Sequence, residues 1–102
     1  MIVKKQYLKT KPICKVTFKL SKQELDAPDT VHIVGEFNNW NKAATSMKNL
    51  KNGSFKATLD LEKNNEYQYR YLINKKEWKN DSTADKYIYS AYGDCDNSVV
   101  VV

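Results

Sequence analysis

A chain of 102 residues can hold one modest hydrophobic core and is too short for two. Its 41% hydrophobic and 28% charged content is that of a soluble globular domain and excludes a disordered tail. The formal net charge of +5 is uneven: Lys4, Lys5, Lys9, Lys11, Lys15, Lys19 and Lys22 all precede the first acid, and the rest of the chain is slightly acidic.

The Lys-rich opening reads as a solubilised edge strand, in which lysines discourage edge-to-edge pairing. The other reading is a basic arm that attracts nucleic acid or anionic lipid. From Cys14 to Leu20 apolar residues alternate with Lys15, Thr17 and Lys19, the period of a half-buried strand. After a polar loop, Val31 to Phe37 forms the second expected strand. Residues 38–52 have no clean period and read as an irregular loop that tucks Met47 and Leu50 into the core. Lys51-Asn52-Gly53 is a turn signal. It leads into a third strand carrying Phe55, Ala57, Leu59 and Leu61. Tyr67, Tyr69, Tyr71 and Ile73 alternate with Gln68, Arg70 and Leu72 in a fourth. The three tyrosines share one face, expected to be the core side. Short segments at Glu77–Lys79 and Tyr87–Tyr89 and a closing strand from Asn97 complete the pattern.

Six to eight short strands, and no segment with helical period, predict an all-β, immunoglobulin-like antiparallel β-sandwich over residues 1–102. A small barrel is the alternative. No apolar run approaches the ~20 residues that span a bilayer. The opening residues lack the apolar core of a signal peptide, so the expected setting is cytoplasmic, with no membrane partner. Cys14 and Cys95 read as free thiols, with a disulfide joining the two ends as the other option.

Little here suggests an enzyme. The single imidazole, His32, has no spacing relation to a nucleophile and reads as a cross-strand or surface residue. Asp81, Asp85, Asp94 and Asp96 read as loop acids, not a carboxylate pair across a cleft. Gly35, Gly53 and Gly93 are isolated and make no phosphate loop. No metal site or cofactor is expected.

The order Gly35-x-Phe37-Asn38-x-Trp40, Gly53-x-Phe55-x-Ala57-x-Leu59, Tyr67-x-Tyr69-Arg70-Tyr71-x-Ile73, Trp78 and Asn97 before a valine strand is more specific than any one piece. It resembles carbohydrate-binding module family 48, the early-set immunoglobulin-like domains at the N-terminus of isoamylases and branching enzymes. It looks especially like the glycogen-binding domain of the AMP-activated protein kinase beta subunit. The resemblance runs from about Val31 to Val102.

The resemblance implies non-catalytic binding of an alpha-glucan. It implies Trp40 and Trp78 as sugar-stacking platforms and Arg70 at a position where a Lys bonds sugar hydroxyls. Tyr92 falls where a Leu meets the curved glucan. Asp94 and Asp96 fall at a Thr and an Asn that contact hydroxyls, and Asn97 aligns with the next Asn. The two Asp keep acceptors and lose donors, and their charges would be desolvated against an uncharged ligand.

Each residue also has a bland role: Trp40 as a cap on the core, Arg70 bridging Glu62 or Glu66, Asn38 stabilising its turn. Phe37 reads as core. The alternative function is a protein-interaction or structural module in a carbohydrate-metabolism assembly, with a separate glucan-active enzyme or another protein chain as partner. Nucleic acid is not expected, because the basic residues lie away from Trp40, Trp78 and Tyr92 in sequence.

Overall fold

The computed structural model describes residues 1–90 and 95–102. Nine strands are present among them: β1 (Ile2–Tyr7), β2 (Ile13–Leu20), β3 (Val31–Gly35), β4 (Lys48–Asn49), β5 (Phe55–Glu62), β6 (Glu66–Ile73), β7 (Glu77–Lys79), β8 (Lys86–Ser90) and β9 (Cys95–Val101). They form two antiparallel sheets, a four-stranded one ordered β1-β2-β5-β4 and a five-stranded one ordered β3-β6-β9-β8 with β7 added to β6. This is the expected sandwich. Among the described residues no helix is long and apolar enough to cross a membrane.

The core follows from the period of two. Cys14, Val16, Phe18 and Leu20 of β2 face Val31 and Ile33 of β3 and Tyr69, Tyr71 and Ile73 of β6 across the interior. The β1 edge carries lysines, as edge strands do. Lys5 reaches across to Asp85 at 2.7 Å and so ties one sheet to the other. Burial raises the Asp85 carboxyl, but Lys5 and the Val101 N–H outweigh it and hold it below the usual range. Cys14 and Cys95 are free thiols, the first in the core and the second half-buried.

Strand β6 organises the larger sheet. Its one edge pairs with β3 from Tyr69 to Ile73; the other meets β9 along Glu66–Tyr69 and β7 along Tyr71–Ile73. Tyr69 and Tyr71 are fully buried, and buried phenols need acceptors. Both hydroxyls donate to Oδ2 of Asp81 at 2.8 Å, while the Thr83 N–H and hydroxyl donate to Oδ1 at 2.8 and 2.7 Å. The Asp81 N–H donates to Ser98 Oγ on β9 at 2.8 Å. Asp81 is thus not the solvated loop acid that its polar neighbours suggest; it is completely buried.

Burial first, and the Asp81 charge after it, push both phenols far above their ordinary value of 10.0. In the folded state they keep protons that the unfolded chain loses, so their contribution is full below pH 10 and declines above it. For the pair, stability should fall by up to about 2.7 kcal/mol per pH unit there, measurable as urea midpoints across the alkaline range. Asp81→Ala, which strands the hydroxyls, should cost about 3 kcal/mol at neutral pH in the same assay.

Candidate carbohydrate-binding groove

The outward face of the larger sheet carries the even-numbered residues of β6, namely Glu66, Gln68, Arg70 and Leu72. Val34 lies opposite Arg70, and Trp78 lies opposite Leu72. Trp40 joins them from the turn after β3. The stretch Gly35–Trp40 divides its work residue by residue. Gly35 comes so close to β6 that a Cβ would sit 2.4 Å from the Gln68 carbonyl oxygen and 2.7 Å from the Tyr69 Cβ. The chain then leaves the sheet in a single 3-10 turn, Glu36–Asn38, so the expected strand ends two residues early. Glu36 Oε1 accepts the Gln68 N–H at 2.6 Å, continuing the ladder with a side chain where the β3 backbone has left.

Phe37 turns inward to pack on Phe18, Tyr67 and Tyr69, each ring centroid 6.3 Å away. Asn38 is a clamp. Its Oδ1 accepts the Gly35 N–H at 3.0 Å, and its Nδ2 donates to the Ile33 carbonyl at 3.0 Å and to Thr45 Oγ1 at 3.1 Å. Asn39 and Trp40 both adopt left-handed backbone, with φ of 56° and 57°. Asn tolerates that region; a bulky ring is rarely found there. The Trp40 N–H donates to the Gly35 carbonyl at 2.9 Å and closes the loop. Strain of this kind persists only where the surroundings over-determine it.

Both tryptophans are half-buried and meet one cation. The Arg70 guanidinium carbon lies 4.7 Å from the Trp78 ring centroid and 6.0 Å from that of Trp40, and Lys42 Nζ lies 5.8 Å over Trp78. Arg70 does not bridge to Glu62 or Glu66; its Nη1 donates to Cys95 Sγ at 3.2 Å, and Glu66 pairs with Lys86 instead. Asn97 Nδ2 donates to Gln68 Oε1 at 3.0 Å. Among the described residues three buried side-chain atoms have no hydrogen-bond partner: His32 Nδ1 and, beside the groove, Asn97 Oδ1 and Arg70 Nε. Of the last two, one is an acceptor and the other a donor.

A groove of about 710 Å³ opens over these residues, walled by Trp40, Arg70, Trp78, Lys42, Gln68 and Asn97, with Glu36 and Ser90 at its margin. A smaller depression of about 360 Å³ beside Lys22, Pro28 and Phe55 holds neither tryptophan nor arginine. Of the expected site residues, Trp40, Arg70, Trp78 and Asn97 therefore come together. Asp96 does not join them: neighbours on a strand point to opposite faces, and Asp96 pairs with Tyr89 while Asn97 pairs with Ile88. Tyr92 and Asp94 lie outside the described residues. Sequence reading missed Gln68, Lys42 and Glu36. Gln68 was reachable, since it precedes Arg70 by two on the same strand face.

The chain matches the family described as Carbohydrate-binding module 48 (Isoamylase N-terminal domain) over residues 26–93, well over half its length. It belongs to that family. Domains of family 48 are generally non-catalytic binding modules, and among the described residues no three His, Cys, Asp or Glu side chains gather as a metal-holding group. The matched span includes Trp40, Arg70 and Trp78, and it ends before Asn97. No curated protein sequence matches this family 48 domain significantly.

The clamp holds the turn that leads from β3 to Trp40. Asn38→Ala loses three hydrogen bonds and should cost about 2 kcal/mol. Asn38→Asp keeps the Gly35 bond, loses both donors and should fall between it and the natural chain. Urea unfolding followed by far-UV circular dichroism measures the order.

Proposed function

We propose that this domain binds alpha-glucan chains without altering them, in the manner of the glycogen-binding type within family 48. The observation that carries the reading is the pair of half-buried tryptophans on one face with Arg70 between them, in a single groove. A glucose ring offers C–H faces and a rim of hydroxyls. Indole faces accept the former at low entropic cost, and convergent polar groups meet the latter.

The Arg70 guanidinium and the side-chain amides of Gln68 and Asn97 line the groove and supply donors and acceptors. A hydroxyl answers both, because it can donate and accept together. Gln68, fixed on one side by Asn97, extends the polar wall. Asp96, on the other face of β9, is spared the desolvation cost that a carboxylate facing a neutral ligand would incur.

Titration of the domain's tryptophan fluorescence tests this. Maltoheptaose should give a saturable change and cellohexaose none, because a curved alpha-linked chain presents successive rings to two platforms. Trp40→Ala with Trp78→Ala should abolish retention on immobilised glycogen while leaving the far-UV spectrum intact. Retention by that folded double variant would sink the site. A folded natural domain silent to millimolar maltoheptaose would favour the alternative, a module that docks protein and has lost sugar.

A further inference from the structure

The opposite layer of the sandwich carries a second feature, independent of the groove and of the glucan reading. With Val16, Phe18 and Leu20 of β2 turned into the core, the intervening residues of β2 and their partners form the outward face of the smaller sheet. Pairing aligns Lys19 of β2 with Lys56 of β5, and Lys56 with Lys48 of β4. Three lysines on three adjacent strands form one row across the sheet. Strands lie about 4.8 Å apart, so the row spans only about 10 Å. Lys4, opposite Thr17, adds a fourth cation in the next row.

Like charges directly opposite one another destabilise a sheet. The ion pairs among the described residues are Met1–Glu24, Lys5–Asp85 and Lys86–Glu66, so none neutralises this row. The far end of the same face is different. Asp60 lies opposite Lys15, and Glu62 lies opposite Ile13. All three lysines of the row have acid-free neighbours in the register, while the acids occupy the other end.

We propose that this face docks an acidic partner protein, with carboxylates of the partner set against Lys19, Lys56 and Lys48. Charge complementarity chooses the occupant. A nucleic acid or an anionic bilayer is negative everywhere and would meet Asp60 and Glu62 at close range. A protein surface can bring acids to one end and basic or neutral groups to the other. A second copy of this chain inverted on the face would set the lysine row against the two acids, but both copies carry an excess of lysine there and repel. An acidic partner removes the repulsion inside the row and gains the attraction across it. Such contacts act chiefly on encounter rate and specificity and weaken with salt.

The test uses the whole chain and a fluorescein-labelled peptide of alternating Glu and Thr, with the Lys–Thr counterpart as control, read by anisotropy. The Glu peptide should bind at low salt, weaken as salt rises, and bind about tenfold more weakly to the Lys19→Gln, Lys48→Gln, Lys56→Gln triple variant. That variant should melt no lower than the natural chain, because the opposed charges are gone, and should keep its fluorescence response to maltoheptaose. Equal peptide binding by the triple variant would overturn the proposal. So would tighter binding of duplex DNA or phosphatidylserine vesicles than of the peptide, which would make the face a polyanion surface. A dimer in sedimentation that dissociates in the triple variant would assign the face to a second copy instead.

Discussion

Two phenols inside a sandwich must find acceptors, and here one carboxylate serves both. Asp81 stands between β7 and β8, so its bonds to Tyr69 and Tyr71 fasten the loop that follows Trp78 to the core side of β6. Its N–H reaches Ser98 on β9. Three strands that frame the groove are therefore held from behind the sheet, by the odd-numbered residues of β6, while Gln68 and Arg70 of that strand line the groove on its other side. Buried networks of this kind add rigidity when every member is satisfied and are costly when one is missing. The Thr83 bonds to the second oxygen complete the set.

The same division by parity explains what could be read from the sequence. The strands β2, β5 and β6 were legible because a half-buried strand must alternate, and their residues do. The sandwich followed from their number and spacing. Phe37 as a core residue and Asn38 as the stabiliser of its turn were also legible, since each side chain has a narrow range of uses at a strand end. Strand β1 was seen only as a Lys-rich edge, because most of its residues are exposed and no apolar period marks it.

What escaped reading depended on distant partners. Nothing local distinguishes Asp81 from Asp85; only the two tyrosines aimed at the same point make one of them a core residue. The hint was available on β6, where inward phenols demand acceptors, but not the identity of the acceptor. Asp96 shows a different failure. It was grouped with Asn97 through residue-by-residue resemblance, whereas strand alternation alone separates the two. Arg70 was assigned hydroxyl contacts or an acid partner, and its position between two indoles depends on Trp40 arriving from another strand's end.

The placement of the tryptophans also determines how this protein will look in solution. Both indoles of the chain line the groove, and none lies in the core. Indole emission therefore reports on one surface, while the interior is visible only through tyrosine and the backbone. If the loop carrying Trp40 loosens before the sheets part, the emission transition will precede the circular dichroism transition. Non-coincident probes are the usual sign of a populated folding intermediate. In this protein they would signify a groove that opens while the sandwich behind it remains whole.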